Sequence, residues 1–320
     1  MLGQLLKQTA AHEPDRVAFV DGERRLTYAE WDWLSDRAAF SLASEGLKKG
    51  DVVALLLQPS IQYPIAYLGA AKIGCITVGI NPRLAEPEID RILDHSLARA
   101  LVTDREDRDR SLIFRPQALN TPGAEPPRVK LDAADAVCIV YTSGTTGDSK
   151  GALYTVRALE AVMRIERALE PAQHPRTLQA IPLQHMQFMT KIGVFIARAG
   201  TAVLVDRWNA RDALATIERE RVTAFGGVPT QLALMLRDPR FGDYDLSSLQ
   251  SVTLGGAPAT PELIREIRQR FGAPVLVRFS TTELALCCGT RAGDPDDVVA
   301  RTVGRPLPEV DVKIDRAGPD

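Results

Sequence analysis

The sequence predicts an α/β protein built on two parallel sheets, and three observations carry that expectation. Short continuous apolar runs alternate with capped helical stretches, the pattern of strands buried on both faces with helices between them. The alternation breaks once, in a polar, proline-rich stretch from residue 104 to 130, and then resumes. A segment dense in glycine, hydroxyls and one lysine follows directly on a buried run, at the strand end where such sheets hold their ligands.

Taken in order, the first third gives a βαβαβ unit. Thr27-Tyr28-Ala29-Glu30 has the spacing of a capping box, so a helix opens there and stops near Gly46. Residues 52–57 read as a buried strand, Ser60 as the cap of the next helix, and Gly74 as its stop. Residues 75–80 form a second strand ended by Asn81-Pro82, 86–95 a helix, and 98–102 a third strand. After the break, strands are expected at 136–141, 202–205, 224–226, 252–254 and 275–277. Thr260-Pro261-Glu262 opens a helix with a hydroxyl cap and an N1 proline. Residues 311–314 read as a lone strand. The expected domain organisation is one large domain with subdomains at about 1–130 and 131–300 and a terminal β segment at 301–320.

Composition narrows the function classes. With 320 residues, of which 45% are hydrophobic and 25% charged, the chain can build a sizeable globular core. Thirty-nine basic side chains almost cancel 41 acidic ones, so no net field recruits nucleic acid or an anionic membrane. Cys75, Cys138, Cys287 and Cys288 make no CxxC pair and read as buried free thiols in a reducing compartment. The N-terminus lacks a signal-peptide core and no apolar run is long enough to span a bilayer, so a cytoplasmic protein is expected. Oligomeric state is not legible.

The chemistry-bearing stretch is Tyr141-Thr142-Ser143-Gly144-Thr145-Thr146-Gly147-Asp148-Ser149-Lys150-Gly151. Glycines let backbone N–H groups converge on an anion, hydroxyls add donors and the lysine adds charge, which together suit a polyphosphate. It is not a Walker A loop, because Lys150 is preceded by Ser149 and followed by Gly151. The bland alternative is a flexible surface turn, which rarely combines these residues behind a buried strand.

The stretch closely resembles the signature loop of the superfamily of acyl-CoA synthetases, peptide-synthetase adenylation domains and firefly luciferases, Tyr-Thr-Ser-Gly-Thr-Thr-Gly-x-Pro-Lys-Gly. It departs only at Ser149, which replaces the proline. Further motifs follow in the family's order. Phe279-Ser280-Thr281-Thr282-Glu283 is similar to Tyr-Gly-x-Thr-Glu, Gly255-Gly256-Ala257-Pro258 to its glycine turn, and Ile181-Pro182-Leu183-Gln184-His185 to the segment bordering the acyl channel. Gly304-Arg305-Pro306-Leu307-Pro308 resembles its Gly-x-Pro-x-Pro-Gly segment, with Glu309 in place of the last glycine.

The resemblance implies two αβα subdomains packed together, with the start of a small β-barrel-like subdomain at the C-terminal end. It also implies ATP-dependent activation of a carboxylic acid to acyl-AMP, with magnesium as cofactor and CoA as the thiol acceptor. Thr142, Ser143, Gly144, Thr145, Thr146, Gly147 and Lys150 would hold the phosphates. Phe279 would stack on adenine, with Ser280 and Thr281 beside it; Thr282 would orient the α-phosphate, and Glu283 would help hold magnesium. Gly255, Gly256, Ala257 and Pro258 would line the nucleotide pocket, and His185, Gly256 and Arg278 the acyl pocket. Lys150, Thr282 and Glu283 are the catalytic candidates. The family's hinge and C-terminal lid, with its lysine, lie beyond the last residue, Asp320. Residues 178–205 contain no Asp or Glu, which disfavours an α-amino acid, and Arg278 could pair with a second substrate carboxylate, or else point to solvent or pair within the protein. Two other readings stay open: an adenylation domain that loads a carrier protein with a non-amino acid, and a nucleotide-binding protein without ligase activity.

Overall fold

The computed structural model describes residues 1–106, 112–120, 125–142, 149–169 and 173–315. Two compact units emerge from the packing of the chain, one of residues 1–163 and 172–209 and one of residues 164–171 and 210–320.

The described residues of the first unit form the strands β1 (Val17–Asp21), β2 (Arg24–Thr27), β3 (Val52–Leu56), β4 (Ile76–Gly79), β5 (Ala100–Thr103), β6 (Ile113–Phe114), β7 (Ala136–Thr142), β8 (Lys150–Thr155), β9 (Arg176–Gln179) and β10 (Thr201–Leu204). Strands β6-β5-β3-β4-β7-β8 pair in that order, all parallel except the last pair. Strands β9-β10-β1-β2 pair in a second run, parallel until the β1–β2 hairpin. The described residues between β5 and β7, which include β6, belong to this unit, and β7 lies beside β4. A buried apolar run announces a strand but not which neighbour it will pair with.

Capping explains several boundaries. Thr27 accepts from the Glu30 backbone N–H at 3.2 Å, and Glu30 Oε2 accepts from the Thr27 N–H at 2.8 Å, opening the helix Tyr28–Ser44. Its residues Tyr28 and Trp31 are fully buried, and Trp31 Nε1 donates to the Pro64 carbonyl at 3.0 Å. Ser60 does not cap the next helix, Gln62–Lys72. Ile61 holds the N-cap position, and the Ser60 carbonyl accepts from the Tyr63 N–H at 3.1 Å, so the backbone closes that turn. The helix Glu86–His95 packs Ile89, Ile92 and Leu93 onto Ala54, Leu56, Val78 and Leu101 of the sheet, with Ile139 and Tyr141 against the same cluster. Burying side chains of this size stabilises by about 1.5–3 kcal/mol each, which fixes β7 up to the loop it feeds.

The second unit carries β11 (Ala224–Gly227), β12 (Ser251–Gly255), β13 (Val275–Thr281), β14 (Ala285–Gly289) and β15 (Arg305–Pro306). Strands β11, β12 and β13 are parallel neighbours, and β14 and β15 add antiparallel. Between β12 and β13 runs the helix Pro261–Phe271. Thr260 accepts from the Leu263 N–H at 3.3 Å, with proline at N1, and Gly272 closes the helix at φ 66°. Residues 311–314 are not a strand: they pair with no described residue, and Ile314 is 88% exposed. Alternating apolar residues are a local cue, whereas a strand exists only where a ladder partner does.

Candidate functional site

The first unit presents the two ends of the candidate phosphate-binding stretch, Tyr141–Thr142 and Lys150–Gly151, as paired antiparallel strands. Thr142 lies opposite Lys150 and Tyr141 opposite Gly151 in the β7–β8 ladder. Ser143, Gly144, Thr145, Thr146 and Gly147 lie outside the described residues. Lys150 is exposed, so its ammonium is available to solvent or ligand at the mouth of the hairpin. The Tyr141 ring lies over Gly151, where a Cβ would sit 3.2 Å from the ring, so any side chain at 151 would displace it. The Tyr141 hydroxyl shares a 2.6 Å hydrogen bond with His95 Nδ1, the two rings meeting edge-on at 80°. Burial raises the Tyr141 pKa above its ordinary value, which keeps the phenol protonated.

His185, expected at the acyl channel, has a structural task in this unit. It is the N-cap of the short helix Met186–Met189, and its Nδ1 accepts from the Gln187 N–H at 3.3 Å. Desolvation, with the nearby Lys191 charge, lowers its pKa below the usual imidazole value, consistent with a neutral ring that accepts.

In the second unit the structure gathers seven of the expected residues around one cleft of about 410 Å³. The carboxyl ends of β12 and β13 lie side by side, with Gly255 opposite Arg278 in the ladder. From β12 comes the turn Gly255, Gly256, Ala257, Pro258; from β13 come Arg278, Phe279 and Ser280. Gly256 sits at φ 79°, a left-handed backbone that side chains disfavour, and a Cβ on Gly255 would meet the Arg278 carbonyl at 3.1 Å. Glycines therefore let the two strand ends meet without filling the cleft. Phe279 is 43% exposed and lines the cleft rather than packing into a core. Thr281 ends β13, and Thr282 and Glu283 form the hairpin turn into β14, with Glu283 exposed.

Arg278 lines the cleft, but its Nη1 donates to the Thr290 carbonyl at 2.6 Å and the Val277 carbonyl at 3.3 Å. Its guanidinium also lies against Gly289, where a Cβ would sit 2.9 Å from Nη1. A protein partner for this cation is thus present. The wall opposite the strand ends, Val299 to Val303, lies at the end of the helix Asp296–Arg301 and was not singled out in the sequence. The signal there was slight: Pro295 followed by two aspartates, a helix start with no chemistry of its own.

The model of the AMP-binding enzymes matches residues 6–319. The chain belongs to the AMP-binding enzyme family. Among its relatives is the long-chain-fatty-acid–CoA ligase FadD13 of Mycobacterium tuberculosis, 30% identical over 303 residues, covering 88% of this chain and 60% of that protein. The chain thus spans about three-fifths of the length of that relative. The N-terminal domain of FACL13 from Mycobacterium tuberculosis, solved with an inhibitor, superposes with a TM-score of 0.87 at 27% identity, covering 96% of this chain and 82% of that one. The o-succinylbenzoate coenzyme A synthetase MenE of Bacillus subtilis, in complex with ATP and magnesium ion, matches with a TM-score of 0.85 at 27% identity, covering 98% of this chain and 67% of that one. Among the described residues of this AMP-binding enzyme, no helix is long and apolar enough to cross a membrane.

Proposed function

We propose that the chain is the nucleotide-binding part of an acyl-CoA synthetase: it binds ATP and a carboxylic acid and forms an acyl-adenylate, which CoA then converts to a thioester. The observation that carries this reading is the cleft of the second unit, where the glycine turn 255–258 and the Phe279 ring converge on one ligand-sized space. The relatives' names support the acyl-CoA class.

In the reaction, a carboxylate oxygen attacks the α-phosphorus of ATP and pyrophosphate leaves. Positioning and charge neutralisation supply most of the catalysis in such transfers. Phe279 offers the adenine a stacking surface, and the glycine turn lets backbone approach the base. Lys150 and the hydroxyls of the β7–β8 loop, Thr142 among them, donate to the β- and γ-phosphates, and Thr282 orients the α-phosphate. Among the described residues no cluster of three or more His, Cys, Asp or Glu could cage a metal. The single exposed Glu283 carboxylate fits magnesium, which binds through one or two carboxylates plus substrate phosphates. Held at Glu283, magnesium would supply charge neutralisation for the leaving pyrophosphate.

For the acid, Gly256 and Arg278 are assigned to the acyl side of the cleft, and His185 stays a candidate acyl-pocket residue of the first unit. The Thr290 and Val277 carbonyls support a bracing role for Arg278 in that wall. The domain reading extends the same proposal: a lid of the family's kind completes the thioester step. The test is ATP–pyrophosphate exchange over a panel of aliphatic, aryl and dicarboxylic acids, using a chain that also carries the lid, beside equilibrium AMP binding by this chain alone. Acid-dependent exchange is the expected result. AMP binding with no exchange for any acid would leave only a nucleotide-binding role.

A further inference from the structure

In a regular strand, neighbouring side chains point to opposite faces, so adjacent cysteines keep their sulfurs apart. Cys287 and Cys288 do not follow that rule: their Sγ atoms lie 3.7 Å from each other. The β13–β14 register explains why. Arg278 faces Gly289 and Phe279 faces Cys288, but the next pair is Ser280 with Leu286, so Cys287 is the extra residue of a bulge. The bulge turns its side chain towards that of Cys288. Both thiols are free and nearly buried, at 9% and 5% exposure.

A separation of 3.7 Å is well beyond the roughly 2.05 Å of a disulfide. It matches two sulfurs on a single soft centre, since bonds of about 2.3 Å at a near-tetrahedral angle hold them roughly 3.5–3.8 Å apart. A zinc ion would need more donors, and among the described residues no third His, Cys, Asp or Glu completes such a set. The pair therefore suits a centre that two thiols satisfy. Burial, with Cys287 alongside, also raises the Cys288 thiol above its usual pKa, which disfavours oxidation through a thiolate.

We propose that Cys287 and Cys288 form a dithiol site for mono-substituted arsenic(III) compounds, R–As(OH)2. Two As–S bonds form and two As–O bonds break. The thiol protons leave on two molecules of water, and arsenic stays trivalent throughout. The way in is the sheet edge. There β15 is two exposed residues long, and Pro306, opposite Cys288, has no N–H to give the ladder. The ties that must open are the Leu307 N–H to the Cys287 carbonyl, at 3.0 Å, the Leu307 side chain packed with Ile165 and Leu286, and the Arg305–Asp294 ion pair at 2.8 Å. Phe279 lies directly opposite Cys288, and cross-strand partners share a face of the sheet. An occupied site therefore crowds the aromatic wall of the cleft; this consequence rests on the nucleotide reading, whereas the dithiol site does not.

The test is intact mass of the reduced native chain after phenylarsine oxide, with peptide mapping of the adduct. One adduct at residues 287–288 is expected, removed by 2,3-dimercaptopropanol and resistant to an excess of a monothiol. Cys287→Ser and Cys288→Ser should each lose the resistant adduct, and Cys75→Ser and Cys138→Ser should keep it. An adduct that forms only in denaturant, or that maps elsewhere in the wild-type chain, overturns the site whether or not the variants fold. AMP affinity of the modified chain should fall about tenfold, the loss of roughly one stacking contact. Unchanged affinity with the adduct in place overturns the coupling to the cleft. No AMP binding by the unmodified chain overturns the nucleotide reading and leaves the dithiol site standing.

Discussion

The hydrogen bond between His95 and Tyr141 offers a way to ask whether the base of the phosphate-loop hairpin matters to nucleotide binding. Tyr141 is the second-last residue of β7, and its ring covers Gly151 on the returning strand, so both ends of the loop are tied to this contact. His95→Phe keeps an aromatic ring for the edge-on packing and removes the nitrogen; Tyr141→Phe removes the hydroxyl. A neutral hydrogen bond contributes about 0.5–1.5 kcal/mol net, and His95 is exposed, which places this one at about 0.5–1 kcal/mol. If that energy keeps the hairpin mouth ordered before ATP arrives, its loss should raise the Kd for ATP by about two- to fivefold. A double-mutant cycle on ATP affinity by calorimetry, with thermal melts of the same four proteins, measures it. The expected coupling is about 0.5–1 kcal/mol in both readouts. Additive single effects would dismiss the bond. Coupling in the melts without coupling in ATP affinity would make it a structural contact with no part in the site.

Lys150→Ala, in a chain that carries the lid, should slow pyrophosphate exchange about 30–150-fold, the loss of a charge-assisted contact of roughly 2–3 kcal/mol. Unchanged rates would remove Lys150 from the site. Gly304 sits at φ 82°, and a Cβ there would lie 2.1 Å from the Gly289 carbonyl, so Gly304→Ala should cost about 2–4 kcal/mol by chemical denaturation. Gly272→Ala, also left-handed but with open space around it, should cost only about 1 kcal/mol, and equal losses would refute the close-approach argument. Lys72, 8% exposed, joins Asp32 at 2.7 Å and Asp36 at 2.6 Å, so Lys72→Met should destabilise by about 3 kcal/mol, read from the urea midpoint. The His185 pKa is lowered in the fold, so its neutral form contributes stability that is present above the ordinary value of about 6.5 and lost as pH falls below it. His185→Asn keeps a cap without a titrating ring, and its melting temperature should fall less than wild type between pH 7.5 and 5.5; parallel losses would count against this.

Much of the site was legible because its residues are close in sequence. Glycines, hydroxyls and a lysine in one short stretch point to a phosphate loop, an expectation that rests on local chemistry alone, and the left-handed turn at Gly256 needs glycine itself. The helix Glu86–His95 and the capped starts at Thr27 and Thr260 were legible for the same reason: caps act over three residues. Pairing was not. That β7 joins β4, that residues 311–314 find no ladder, and that Cys287 is bulged out of register each depend on a partner strand distant in sequence. The same holds for side-chain partners. Arg278 read as open between a substrate carboxylate and a solvent-facing or structural role; the fold brings one protein acceptor, the Thr290 carbonyl, opposite it in the β13–β14 hairpin. The sequence by itself determined which groups could recognise a nucleotide, since residue type sets hydrogen-bonding capacity and backbone freedom. Tertiary structure decided which of those groups face a cleft and which the protein itself has already engaged, because a donor reaches only the acceptor that the chain's packing sets within about 3 Å of it.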